Sequence, residues 1–159
     1  MKIDKRLLTS IVLISFLLLF PTNIYHFFDK ISSINNKRGS FPYQVNHYIY
    51  PEEHEALEWL KANSKEYSVV LSTYNIGNYI PRYMNNRVYL GHWAQTINFT
   101  EKSEDVIEFY QGKSDSIDLE NIDYIWYGLD EKEVNENFIP PENSKIVFEN
   151  EKVSVYNIT

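Results

Sequence analysis

The chain has 159 residues, which corresponds to about one domain, and 43% of them are hydrophobic, enough for one packed core. Lysine and arginine number 15 against 22 aspartates and glutamates, giving a net charge of -7. This acidic balance excludes sequence-independent binding to nucleic acid, which needs basic surfaces. The absence of cysteine excludes disulfide scaffolds, thiolate metal sites and thiol nucleophiles.

The N-terminal segment predicts a membrane helix. A basic flank over 2–6 precedes an apolar run over 7–20, and the chain then stays uncharged up to Phe28. A span over 7–28 reaches the length of about 20 residues that a bilayer crossing needs. A cleaved signal peptide is disfavoured because no small-residue cleavage site follows the run, and a buried core helix is disfavoured because the run has no polar stripe. The positive-inside rule then predicts a single-pass chain in the cell membrane, with a cytoplasmic N-terminus and everything after Phe28 outside the cytoplasm.

Three regions follow from this interpretation. The cytoplasmic flank and transmembrane helix occupy 1–28, and a juxtamembrane linker without sustained periodicity occupies 29–50. A domain outside the cytoplasm occupies 51–159.

From residue 51 the sequence alternates helical and strand patterns. The predicted helices are 51–63, 79–84 and 101–111, and turn-like helical segments are predicted at 118–121 and 129–137. The predicted strands are 67–72, 87–90, 123–128 and a closing hairpin of 145–148 and 152–156. The predicted fold class is therefore α/β: an N-terminal transmembrane helix, then a small three-layer domain with a mainly parallel sheet and a C-terminal antiparallel hairpin.

Carboxylates in the first turn of the predicted helix 51–63 are interpreted as a solvated face that complements the helix dipole. They are Glu52, Glu53 and Glu55. No acid–base role is assigned to them.

Two segments follow predicted parallel strands, 72–78 after the first and 91–96 after the second. In open α/β sheets ligands bind beyond the carboxyl ends of the strands, so these segments predict one shared surface. A tryptophan beside polar side chains suits a sugar, and amides at a helix start suit a phosphate. One alternative stays open, in which Trp93 covers the core and His92 satisfies a loop carbonyl. The side chains of this surface are Asn75, Asn78, His92, Trp93 and Thr96.

Other site patterns are missing from the sequence. It contains no glycine-rich nucleotide loop, no histidine pair at metal-ligand spacing and no G-x-S-x-G nucleophile motif. No catalytic residue, metal ligand or cofactor is predicted.

The order of several segments resembles a known family. The segments are PEEHEALEWLKANS, VVLS, GNYIP, RVYLGHWAQT, a helix that contains EK and ends in FYQG, and IDYIWYG. Together they resemble the C-terminal extracytoplasmic tail of bacterial multi-spanning GT-C type membrane glycosyltransferases, which are related to protein mannosyltransferases. The most specific part is GHW-x-x-T with the downstream Lys102.

The resemblance implies a function for the chain. Such enzymes take a sugar from a polyprenyl-phosphate donor, and their catalytic acidic residues lie in early loops that this chain lacks. The chain would then be the last membrane helix and soluble domain of such an enzyme, not catalytic alone, helping to bind donor or acceptor at the external face. Its partners would be the lipid bilayer, a polyprenyl-phosphate sugar, a glycan or protein acceptor and the remaining membrane core of the enzyme.

The resemblance also indicates which positions match the family. They are Gly77, Asn78, Pro81, Gly91, His92, Trp93, Thr96 and Lys102. Together with the surface predicted above, this gives a set of candidate substrate-binding residues: Asn75, Gly77, Asn78, His92, Trp93, Thr96 and Lys102.

The sequence leaves two other functions open. The first is a free-standing, single-pass membrane-anchored binding or assembly module. The second is a secreted hydrolase, which is disfavoured because no nucleophile, metal site or paired carboxylates stand out in the sequence.

Overall fold

The computed structural model describes residues 9–10, 13–15, 24–28, 48–113 and 116–158. The chain divides into two compact units, Met1–Gly39 and Ser40–Thr159. The described residues of the first unit are all helical. The second unit contains the five-stranded sheet.

The predicted transmembrane helix is not supported. Within the described ranges, no helix combines the length and the apolar character that crossing a bilayer requires. A crossing needs about 20 apolar residues in one helix, and within the predicted span the structure describes residues 9–10, 13–15 and 24–28. This finding overturns the prediction of a helix over 7–28 and of a single-pass location in the cell membrane. The rest of that span, and the predicted linker up to residue 47, lie outside the described residues.

The second unit alternates helices and strands, as the sequence predicts. The helices are α1 (Pro51–Asn63), α2 (Tyr74–Tyr83), α3 (Phe99–Tyr110) and α4 (Leu129–Val134), with a short 3-10 helix at Leu119–Asn121. The strands are β1 (Val69–Leu71), β2 (Arg87–Val88), β3 (Tyr124–Tyr127), β4 (Ser144–Glu149) and β5 (Ser154–Ile158).

The five strands form one mixed sheet in the order β2-β1-β3-β5-β4. Strand β1 pairs in parallel with β2 and β3, whereas β5 pairs antiparallel with β3 and β4. The prediction of a mainly parallel sheet is therefore wrong, although the fold class is α/β and the C-terminal hairpin is present. The reason is that the C-terminal hairpin supplies two of the four strand pairings, and both of these are antiparallel. The hairpin strands are also the longest, with six and five residues against three and two in β1 and β2.

The sheet is buried on both faces. In β3, Tyr124 and Trp126 face one apolar cluster, and Ile125 and Tyr127 face the other. This is the period of two expected for a strand that is covered on both sides. Helices α1 and α2 contribute to the first cluster and α3 to the second, so the domain has three layers.

The start of α1 is tied to the β4–β5 turn. Lys152 Nζ lies 2.8 Å from Glu52 Oε1 and 4.5 Å from the centroid of the Tyr50 ring. Asn150 Nδ2 donates to the Glu52 carbonyl at 2.9 Å, and Glu53 is buried and accepts a hydrogen bond from Tyr50 N at 3.0 Å. The first-turn carboxylates are therefore partly structural contacts rather than a wholly solvated face.

A buried carboxylate connects the carboxyl ends of β1 and β3. Glu131 is fully buried at the start of α4. Its Oε1 accepts hydrogen bonds from Thr73 N and Thr73 Oγ1, each at 2.8 Å, and its Oε2 accepts one from Gly128 N at 2.9 Å. Burial and the neighbouring Asp130 raise the pKa of Glu131 to about 7, against the lowering effect of these hydrogen bonds.

The raised pKa of Glu131 predicts a pH-dependent stability. The folded protein holds the proton more tightly than the unfolded chain, whose carboxyl titrates near 4.5. We therefore expect the free energy of unfolding to fall as pH rises from 4.5 through about 7, measured by denaturant titration at several pH values. Glu131→Gln should flatten this fall, whereas the exposed control Glu104→Gln should keep it. Equal pH profiles for Glu131→Gln and the unsubstituted chain would contradict the assignment.

Candidate functional site

A cleft of about 300 Å³ lies where α2, the end of β2 and the start of α3 meet. It brings together four of the predicted site residues, namely Asn78, His92, Thr96 and Lys102. The remaining lining residues are Pro81, Val88, Tyr89, Gly91, Gln95 and Ile97.

The segment after β2 is an ordered turn. Gln95 N and Thr96 N both donate to the His92 carbonyl at 2.9 Å, and Gly91 N donates to Thr96 Oγ1 at 3.1 Å. Ala94 N donates to His92 Nδ1 at 3.3 Å. Because Nδ1 accepts, the neutral imidazole carries its proton on Nε2, which is then a hydrogen-bond donor.

Lys102 supplies the positive charge of the cleft. Its Nζ lies 4.7 Å from the centroid of the Tyr89 ring, a favourable cation–π distance. Within the described part of the chain, no carboxylate lies within ion-pair distance of this ammonium group. The charge is therefore available to an anionic ligand.

Tyr89 also forms a hydrogen bond with a carboxylate of the helix that carries Lys102. Asp105 lies three residues after Lys102, a spacing at which side chains of a helix meet. The Tyr89 hydroxyl donates to Asp105 Oδ2 at 3.2 Å. Burial, followed by the Asp105 charge, raises the pKa of Tyr89 to about 12, so the hydroxyl stays protonated at neutral pH. Tyr89 thus contacts Asp105 through its hydroxyl group and Lys102 through its ring.

Asn78 offers a hydrogen-bond acceptor on the α2 side of the cleft. Its Nδ2 donates to the Tyr74 carbonyl at 2.6 Å. This bond uses one of the two amide N–H groups, and Oδ1 can accept a hydrogen bond from a ligand hydroxyl.

Three predicted site residues do not line the cleft. Asn75 is buried, and Gly77 is buried beneath the cleft. Trp93 stacks against His92, with ring centroids 5.9 Å apart, but 63% of its surface is exposed. The alternative in which Trp93 covers the core is therefore wrong.

The glycines of the cleft bring two backbones into contact. A Cβ on Gly77 would lie 1.9 Å from the Leu90 carbonyl oxygen, and one on Gly91 would lie 3.2 Å from the Gly77 carbonyl oxygen. Pro81 lies four residues after Gly77 in α2 and has no N–H to donate to that carbonyl. Gly77 and Gly91 therefore set the separation between α2 and the segment that follows β2.

Sequence reasoning missed Tyr89 and Gln95. The pattern at 87–90 indicates only that Tyr89 belongs to a strand, and no pattern in the RVYLGHWAQT segment assigns a role to Gln95. The signal that could have indicated Tyr89 is the pairing of an aromatic residue at a strand end with a lysine early in the next helix.

We expect Gly77→Ala to destabilise the domain strongly, because rigid backbone occupies the position of the new methyl group. The expected loss is about 3 kcal/mol of unfolding free energy, measured by chemical denaturation. Gly112→Ala is the matched control. A Cβ at Gly112 would meet no other atom, but the backbone has a φ of +67°, so this substitution should lower the unfolding free energy by about 1 kcal/mol through backbone strain alone. An effect at Gly77 no larger than that at Gly112 would contradict the close approach.

No protein-family model matches the sequence, and no curated protein sequence matches it significantly. The resemblance to glycosyltransferase tails therefore stays a prediction.

Proposed function

We propose that the chain is an accessory domain of a glycosyltransferase that uses polyprenyl-phosphate-linked sugars. In this proposal the cleft binds the sugar-phosphate part of the donor. The observation that carries the proposal is the Lys102 ammonium group, which lies over the Tyr89 ring at the cleft without a carboxylate partner among the described residues. The class of enzyme comes from the resemblance of the sequence.

The polar groups of the cleft suit a phosphorylated sugar. Lys102 and the His92 Nε2–H would donate to the phosphate oxygens, and Asn78 Oδ1 and the Gln95 amide would bind sugar hydroxyls. The described residues that line the cleft include no aspartate or glutamate. Since glycosyl chemistry ordinarily depends on carboxylates, the proposed role is binding without catalysis.

The proposal predicts that the full chain binds a short-chain polyprenyl-phosphate mannose, measured by calorimetry in detergent. Lys102→Gln should weaken this binding roughly tenfold, because a charge-assisted hydrogen bond is lost. Lys113→Gln, an exposed lysine outside the cleft, is the control and should have no effect. Absence of binding at millimolar donor, or equal losses for the two lysine variants, would overturn the proposal.

A second variant tests the arrangement of the charge. Tyr89→Phe keeps the ring beneath Lys102 but removes the hydrogen bond to Asp105. The freed carboxylate would then compete with the donor phosphate for Lys102, so we expect affinity to fall about threefold. Restoration of affinity in Tyr89→Phe/Asp105→Asn would support this explanation. Failure of Asp105→Asn to restore it would contradict the explanation.

The exposure of two apolar residues favours a second candidate function, contact with a protein partner. Trp93 and Ile97 are 63% and 79% exposed, although hydrogen bonds order the turn that carries them. Exposed tryptophans are typical of interface centres. Crosslinking in cells from a photo-reactive amino acid at position 93 distinguishes the two candidate functions. A crosslink to another polypeptide would support contact with a protein partner. Crosslinks to a lipid-linked sugar alone would contradict it.

A further inference from the structure

A second hollow lies at the other end of the sheet from the cleft. It has a volume of about 550 Å³ and lies between the C-terminal part of α1 and the β4–β5 hairpin. The cleft follows the carboxyl end of β2, whereas this hollow includes Tyr124, the first residue of β3. Its lining residues are Trp59, Asn63, Lys65, Tyr124, Lys145, Ile146, Val147 and Asn157.

The charges in the hollow are of one sign. Lys65 and Lys145 line it, and the lining residues include no carboxylate. In the described ranges, neither lysine forms an ion pair. A chain with a net charge of -7 thus presents two unpaired ammonium groups beside one concave surface, and such a surface favours an anion.

The neutral side chains of the hollow are held in place. Asn63 Nδ2 donates to the Trp59 carbonyl at 2.8 Å, and Asn157 Nδ2 donates to the Asp123 carbonyl at 3.0 Å. The Oδ1 atoms of both residues are thus the groups left to accept hydrogen bonds from hydroxyls. The Trp59 ring packs on Phe148, with centroids 5.6 Å apart, so an aromatic surface of fixed orientation borders the hollow.

The edge of the sheet beside the hollow is unsuited to an added peptide strand. Strand β4 has a register shift between Ile146 and Phe148 and carries Lys145. Bulges and edge lysines both oppose pairing with a further strand. An extended peptide is therefore a poor ligand for this edge of the sheet.

We propose that this hollow binds an anionic sugar. Lys65 and Lys145 would bind its phosphate or carboxylate, Asn63 and Asn157 would accept from its hydroxyls, and Trp59 would contact its apolar face. The volume lies within the range of small-molecule sites. This proposal does not depend on the proposed function of the cleft.

The test is calorimetry on the full chain with glucose 6-phosphate, glucuronate, glucose and inorganic phosphate. We expect glucose 6-phosphate or glucuronate to bind at least tenfold more tightly than glucose or inorganic phosphate. Binding of both anionic sugars would show that the hollow accepts either anionic group. Binding of only one would identify phosphate or carboxylate as the group that the hollow recognises. No binding of either one, or binding of inorganic phosphate as tight as that of the sugars, would overturn the proposal.

Variants locate the ligand in the hollow. Lys65→Gln and Lys145→Gln remove exposed charges, so both variants should fold, and each should weaken binding roughly tenfold. Lys113→Gln is the control and should leave the affinity unchanged. All affinities are also compared in the Lys102→Gln background, in which the cleft has lost its phosphate-binding charge, so that the remaining binding reports on the hollow. If Lys102→Gln abolishes binding while the hollow variants retain it, the ligand occupies the cleft and the proposal is wrong.

Discussion

Buried side chains hold the carboxyl ends of β1 and β3 together where their backbone pairing ends at Leu71 and Ile125. The Tyr110 hydroxyl donates to the Trp126 carbonyl at 2.6 Å and lies 3.2 Å from the Leu71 carbonyl. Just beyond the ends of the two strands, Glu131 accepts hydrogen bonds from Thr73 N and Gly128 N. Thr73 immediately precedes α2, which forms one wall of the cleft. The position of that wall therefore depends on polar contacts inside the domain.

The segments that surround the cleft combine two physical roles. Gly77 and Gly91 permit close backbone contact beneath the cleft, whereas His92 and Lys102 present polar groups to it. Sequence order alone predicted that polar residues after two parallel strands would meet, which is a consequence of topology. It did not indicate that Trp93 lies outside the cleft, because the direction of a side chain in a turn depends on the hydrogen bonds of that turn.

Helix α1 is the element that the sequence predicts best. Pro51 marks its start and apolar residues recur at helical spacing, so two independent patterns indicate the same helix. Helix α2 begins before the predicted residue 79, since Gly77 and the nearby asparagines have weak helix propensity and only tertiary packing stabilises them as helix. The burial of Glu131 was not predicted, because its sequence context reads as an ordinary exposed turn. The number of residues that pair in parallel depends on how far β1 lies alongside β2 and β3 in the folded domain. The sequence of any one strand does not indicate this number.

The contact between Lys152 and Glu52 has a mechanical consequence. It fixes the entry of the domain at Tyr50 to the turn that joins the last two strands. Tension on the chain ahead of α1 would therefore load that turn directly instead of first unwinding the helix. The two hairpin strands pair with each other on both sides of the register shift in β4, and β5 pairs with β3, so the load would be shared across the sheet as shear. The domain would resist pulling through its longest strands, leaving the shorter parallel strands near the cleft relatively unstressed.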